Sequence, residues 1–285
     1  MVVSGPDAVT WLQGQLSQDV AGLPVGGAAP TFVLSPQGKV AGWGRVARPA
    51  DDVLRIDVDP GAGPAWIARL ERFKLRTKAD LALHEGVEAV AVRGLADVPR
   101  GVEVPPVALC PIAWPDSTGF DVIDPGPELT AALVGAVVAG EGVELGPAGY
   151  DGLRIRAGVP RWGAELDDDT IPASLGQWAV DASVSFRKGC YTGQELVARI
   201  DSRGGHVPRR LAVVALDGGP DGGEPPAPGA EVIAADGTSI GPLTSVAADP
   251  VEPARVVGLV SVPRAIDLPV DVRVLERAGR AQLAG

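Results

Sequence analysis

The chain has 285 residues, enough for two or three structural units, each with a core of its own. Its 46% hydrophobic and 21% charged residues are ordinary for a globular protein, while 38 Gly and 27 Pro point to many turns and short elements. A net charge of -11 argues against general binding to nucleic acid or anionic membrane, both of which favour a basic face.

In chain order, Ser4-Gly5-Pro6-Asp7 reads as a helix start capped by Ser4, followed by Val9, Leu12, Leu16 and Val20 at helical spacing. Thr31 to Leu34 is a short apolar run, and Ser35-Pro36-Gln37-Gly38 fits a type I turn, which predicts a hairpin returning through Lys39 to Ala47. Leu54, Ile56 and Val58 alternate with Arg55, Asp57 and Asp59, the pattern of a strand with one wet face. Trp66, Ile67, Leu70 and Phe73 mark a helix. Residues 81–146 carry strand signals at Val87 to Val92 and Phe120 to Ile123 and a helix from Glu128 to Val138, a subdomain in its own right. Residues 217–229 are too rich in Gly and Pro for a helix or central strand and form a loop. Beyond them, Val232 to Ala234, Leu243 to Val246, Val256 to Val262 and Val270 to Leu275 are short β runs of a small C-terminal barrel.

No apolar stretch approaches the ~20 residues needed to cross a bilayer, and Met1 to Pro6 lack the basic and apolar regions of a signal peptide, so a cytoplasmic location is expected. Cys110 and Cys190 are too far apart in sequence for a CxxC metal site, and His84 and His206 have no third ligand in view. Neither a Walker-type loop nor a G-x-G-x-x-G turn is present, and a Cys190–His206 hydrolase dyad lacks a nucleophile elbow.

The chemistry concentrates between Phe186 and Arg210. Thr192-Gly193-Gln194-Glu195 reads as a capping box, with Leu196, Val197 and Ile200 on the apolar side of the helix that follows. Cys190 then sits just before a helix N-terminus, with Arg187 and Lys188 nearby, a setting for a functional thiol. A lone cysteine is more often a small buried hydrophobe, the reading kept for Cys110 in its apolar run, but Gly189, Gly193 and the polar neighbours Lys188, Gln194 and Glu195 do not suit a core filler at Cys190. Arg187, Lys188, Arg199, Arg203, Arg209 and Arg210 outnumber Glu195 and Asp201 here, which suits an anionic ligand or an internally paired helix face. Asp167 to Asp169 reads as a solvated turn.

The octapeptide Lys188-Gly189-Cys190-Tyr191-Thr192-Gly193-Gln194-Glu195 resembles the signature K-G-C-[FY]-x-G-Q-E of the YgfZ family of folate-binding proteins. Leu12 to Val20 (LQGQLSQDV), Gln37-Gly38-Lys39 and Arg154 to Pro160 (RIRAGVP) extend the resemblance over most of the chain. It implies the α+β fold of the glycine cleavage aminomethyltransferase (T-protein): a folate-binding body, here 1–80 with 147–208, an inserted α+β subdomain, 81–146, and a C-terminal β-barrel, 209–285. The implied cofactor is tetrahydrofolate or a derivative, contacted by Tyr150, Arg187 and Lys188. The implied role is support of iron-sulfur enzymes, one of them a tRNA-modifying radical enzyme, through the thiol of Cys190, without metal or direct nucleic-acid binding by this chain. Alternatives are a folate-dependent aminomethyltransferase or other one-carbon transferase, and a cofactor-free interaction module. This sequence departs from the pattern at Gly42 and Trp43, where the aminomethyltransferases carry an acidic residue, and at Arg156, where they carry a pterin-binding Glu. Tyr150 stands where the YgfZ pattern has a Trp, and a second Trp of the pattern, ahead of the first helix, has no counterpart downstream of Met1, so either the first strand is missing or the start is misassigned.

Overall fold

A computed structural model describes residues 1–218 and 224–285, so part of the expected 217–229 loop lies outside the described residues. The chain forms two compact units, Met1–Glu144 with Asp181–Leu196, and Leu145–Val180 with Val197–Gly285. Among the described residues, no helix is long and apolar enough to cross a membrane.

The first unit contains β1 (Val2–Ser4), α1 (Ala8–Gln15), β2 (Ala28–Leu34), β3 (Val40–Ala50), β4 (Val53–Val58), α2 (Gly63–Glu71) and β5 (Asp80–Ala82). The five strands form one antiparallel sheet in the order β2-β3-β4-β1-β5. Leu12, Phe32, Leu34, Leu54, Ile56, Trp66 and Leu70 are buried, which recovers the alternation read in β4 and the helical spacing read in α2. The start of the chain differs from expectation. Ser4 is not a cap but the end of β1, paired with Val53 and Asp80, and α1 begins four residues later. Asp7 takes the cap position without a side-chain cap, because its carboxylate accepts from the Lys78 amide at 2.8 Å. Leu16 already lies beyond the helix and bridges to Val33.

Within the same unit, β6 (Ala89–Arg93), β7 (Leu109–Pro111) and β8 (Gly119–Ile123) form a sheet ordered β6-β8-β7, followed by α3 (Gly126–Ala139). Val92, Phe120, Val122 and Leu133 make its core. An ion-pair chain joins this sheet to the larger one: Arg45 bonds Asp57 at 3.1 Å and Asp121 at 2.7 Å, and Arg93 bonds Asp121 at 2.8 Å. Cys110 is fully buried here, 3.0 Å from a guanidinium nitrogen of Arg55, and burial pushes its thiol pKa up. It behaves as the inert cysteine that the sequence suggested.

The second unit holds α4 (Pro147–Arg156), the last part of α6 (Gln194–Ser202), and a closed barrel of β9 (Arg209–Asp217), β10 (Glu231–Ala234), β11 (Ser239–Ala248), β12 (Arg255–Pro263), β13 (Val270–Val274) and β14 (Arg277–Leu283), ordered β10-β11-β12-β9-β14-β13. A short helix, α5 (Gln177–Ser183), runs between the units. The sequence pointed to four of the barrel strands and missed β9 and β14. In β9, Ala212, Val214 and Leu216 face the barrel core while Leu211 and Val213 pack with Ile155 of α4, so both faces are buried and the alternation disappears. β14 carries only Ala278, Gly279, Ala281 and Leu283 between its polar residues, too weak an apolar signal to read, and is placed by its partners β13 and β9.

α4 is tied to the barrel by a buried ionic cluster. Arg154 bonds Asp151 at 2.8 Å, Glu165 at 3.2 Å, the Val159 carbonyl at 2.6 Å and Ser245 at 2.9 Å. The fully buried Glu165 carboxylate also accepts from Thr244, Ser245 and the Arg161 amide. Removing one partner of a buried pair leaves the other charge uncompensated. Glu165→Ala is therefore expected to destabilise the chain by about 3–5 kcal/mol in urea unfolding, whereas Asp167→Ala, which alters only a surface turn, stays within ~0.5 kcal/mol.

Candidate functional site

The site is built in the first unit where the octapeptide meets α1 and the β2–β3 hairpin. The hairpin turn forms as read: the Ser35 amide donates to the Lys39 carbonyl at 2.8 Å, the Gly38 amide to the Ser35 carbonyl at 2.8 Å. Gly38 and Gly193 both have left-handed backbones, with φ of 75° and 81°. A Cβ on Gly193 would meet the Ser35 carbonyl oxygen at 2.5 Å and Leu34 Cβ at 2.8 Å, and one on Gly38 would meet Leu196 Cβ at 2.5 Å and the Gly193 carbonyl oxygen at 2.9 Å. Two separate sequence motifs thus interlock through a contact that only glycine permits on both sides.

The segment ahead of the octapeptide is anchored to the turn after α1. The Ser17 hydroxyl donates to the Ser183 carbonyl at 2.6 Å, the Ser185 amide to the Ser17 carbonyl at 3.0 Å, and the Gln18 amide nitrogen to the Ala182 carbonyl at 2.9 Å. Trp43 donates its indole N–H to Ser183 Oγ at 3.0 Å and stacks on Phe32. Ser17, Gln18 and Ser183 had no assigned role in the sequence; only their place in the LQGQLSQDV match marked the first two.

Lys188 turns inward. Its ammonium donates to the carbonyls of Gln13 at 2.5 Å, Leu16 at 2.7 Å and Gln18 at 2.8 Å, and lies 5.0 Å from the Tyr191 ring centroid. Burial draws its pKa down to about 8, with Asp19 pulling the other way, and burial pushes the Tyr191 phenol up to about 12. Arg187, Gly189 and Cys190 are exposed, as is Phe186 at 48%. The thiol is therefore presented to solvent between two anchors, Lys188 before it and Tyr191 to Gly193 after it.

The capping box does not form as expected. α6 starts at Gln194, and it is the Gln194 side chain, not Glu195, that reaches back, accepting from the Tyr191 amide at 3.2 Å. The left-handed Gly193 sets the chain direction one residue later than the S/T-x-x-E pattern assumes. Of the basic cluster, Arg187, Arg199 and Arg203 are exposed, whereas Arg209 bonds Ser261 and the Ile240 carbonyl and Arg210 bonds the Ile266 carbonyl. Tyr150, in the first part of α4, is 39% exposed. Arg156, the residue at the pterin-Glu position, pairs with Asp249 and with Glu252 at 3.0 Å. His84 and His206 are exposed, and no cluster able to hold a metal ion occurs among the described residues.

Gly42 explains one departure from the aminomethyltransferase pattern. A Cβ there would lie 2.1 Å from the indole nitrogen of the buried Trp66, so no carboxylate can be carried at this position.

No protein-family model matches the chain. The structure is similar to the glycine cleavage system aminomethyltransferase T from Bartonella henselae, with a TM-score of 0.71 and 20% identity, covering 99% of this chain and 81% of that one. The chain thus has the T-protein fold. In sequence it is 29% identical to the tRNA-modifying protein YgfZ of Klebsiella pneumoniae over 224 residues (71% of this chain, 64% of that one). It is 30% identical to the mitochondrial iron-sulfur cluster assembly factor IBA57 homolog of Pyricularia oryzae over 226 residues (75% and 55%). The chain is thus similar in sequence to the YgfZ and IBA57 proteins, and it spans a little under two thirds of the YgfZ protein's length.

The interlock of the two turns predicts a local sensitivity. Gly193→Ala is expected to cost ~2–4 kcal/mol in thermal or urea unfolding, from a disfavoured φ and a backbone clash together. Gly189→Ala, with nothing within 4 Å of the added Cβ, is expected to unfold with the wild type.

Proposed function

We propose that the chain is a folate-binding factor supporting iron-sulfur enzymes, with Cys190 as its functional thiol. The observation that carries this reading is the presentation of Cys190: in a fold shared with a folate-dependent transferase, a loop anchored on both sides holds one exposed thiol. The names of the YgfZ and IBA57 relatives supply the client class, iron-sulfur cluster assembly and a tRNA-modifying pathway. A single thiol cannot hold a cluster that usually needs four protein ligands, so any cluster contact is shared with a client.

The residues present fit a folate on the following grounds. On α1 the Trp11 indole N–H and the Gln15 side-chain oxygen are shielded from solvent without a partner, a donor and an acceptor one helical turn apart. A pterin edge carries the complementary acceptor and donors. The resemblance, rather than the geometry, adds Tyr150 as a ring for stacking and Arg187 as a charge for a folate carboxylate. Lys188, whose three protons already have backbone acceptors, holds the loop rather than the ligand in this reading. Bound folate would supply a one-carbon carrier; the protein's own part is to orient it and to keep Cys190 accessible. Amine transfer of the T-protein kind is disfavoured, because the Gly42 position has no room for the carboxylate. The cofactor-free module keeps one specific support, the pairing of Arg156 with Asp249 and Glu252 where the pattern has a pterin-binding Glu.

Anaerobic calorimetric titration with tetrahydrofolate is expected to show saturable binding, weakened about three- to tenfold by Tyr150→Ala and by Arg187→Ala, the usual worth of one stacking or charge contact. Absence of binding by the wild type would transfer the assignment to the cofactor-free module. Cys190→Ala is expected to fold normally and to fail in complementing a strain that lacks its YgfZ protein; full complementation would remove the thiol from the function.

A further inference from the structure

We infer that Lys188 is the positioning residue of the site: its ammonium pins the Cys190 loop to the carbonyls that close α1, so that the direction of the loop is set by this one cation. The inference deepens the reading of Cys190 as the functional group, and it concerns the mechanics of the loop whatever the thiol acts on.

The acceptors are the carbonyls of Gln13, Leu16 and Gln18, two of them within or just past the last turn of α1. Carbonyl groups at a helix C-terminus have no intrahelical partner and carry the negative end of the helix dipole, so a cation there serves both needs. Leu16 is fully buried, and its carbonyl could not be left dry without cost. A lysine ammonium is a compact point charge with three donors, and three convergent carbonyls match it donor for donor. The planar fork of an arginine would not converge in this way. The charged and titratable groups around the ammonium are Asp19, beyond α1, and Tyr191, whose ring faces it at 5.0 Å, with Arg187 and Cys190 flanking it in sequence.

The rest of the loop has weaker ties of its own. Thr192 donates its amide to the Gly14 carbonyl at 3.3 Å, and Gln194 accepts from Tyr191 at 3.2 Å. Gly189 has nothing near its open side, and Cys190 is exposed. Removing the ammonium therefore leaves the stretch from Gly189 to Thr192 on three long hydrogen bonds, the third from the Gln194 amide to the Tyr191 carbonyl at 3.4 Å, with three carbonyls in need of a donor.

The test is Lys188→Ala, read by amide hydrogen exchange of residues 189–193 with n-propylammonium chloride or an equal concentration of sodium chloride added. Propylammonium replaces the deleted side chain from Cγ to Nζ. Exchange of these amides is expected to rise about tenfold or more in the alanine variant, the loss of a charge-assisted hydrogen bond, and to return toward wild type with propylammonium but not with sodium. Exchange equal to wild type, or an increase that both salts leave equally in place, overturns the pin. If the alanine variant does not fold, reductive methylation of the wild type decides: Lys188 still unmodified when the exposed Lys78 is fully methylated supports the pin, and equal rates overturn it. Neither readout uses folate or a client protein, so the pin and the folate reading fail or survive separately.

Discussion

The site depends on how the end of a short helix is satisfied. α1 runs only from Ala8 to Gln15, and the chain then turns sharply into the sheet, leaving carbonyls at the buried Leu16 and the half-buried Gln13 and Gln18 in need of donors. Their donors come from far along the sequence, from the ammonium of Lys188. The same turn takes its other support from the stretch just ahead of Lys188, with Ser17 held by Ser183 and Gln18 by Ala182. A long-range polar anchor of this kind fixes the position of the intervening loop more sharply than apolar contact would, because a buried carbonyl without a donor costs about 1–3 kcal/mol.

The glycines complete that arrangement from the other side. Gly38 at the tip of the β2–β3 hairpin and Gly193 in the octapeptide pass within contact distance, so neither turn can carry a side chain. With Lys188 on one flank and Gly193 on the other, the four residues between them have little freedom of direction, and the thiol emerges at the exposed crest. Gly42 shows the same economy of space used against a function. Trp66 lies flat on its backbone, and the position that would carry an acidic group for amine transfer is filled by an indole from α2. A fold held in common with an aminomethyltransferase is thus compatible with different chemistry.

Arg154 and Arg156 illustrate how the RIRAGVP stretch is used. The first arginine of the stretch, Arg154, is buried and joined to Glu165, Asp151 and Ser245, which fastens α4 to the barrel wall. The second, Arg156, is partly exposed and paired with acidic residues at the end of β11 and beyond it. Both are structural ties in the second unit. The basic excess read between Phe186 and Arg210 likewise divides into exposed arginines and cations that hold backbone carbonyls.

The sequence by itself determined the elements whose patterns are local: the hairpin with its Ser-Pro-Gln-Gly turn, the alternating strand β4, the helix α2 and four barrel strands. These are legible because periodicity and turn chemistry act over a few residues. Only the tertiary structure decided that Ser4 is a strand residue, that β9 is a strand buried on both faces, and that Gln194 rather than Glu195 closes the loop before α6. It alone showed that Lys188 faces inward to α1, because its three acceptors lie about 170 residues earlier in the chain, as the separations of 170, 172 and 175 record. A hydrogen bond to a distant carbonyl leaves no trace in side-chain pattern, since every residue carries that carbonyl whatever its type.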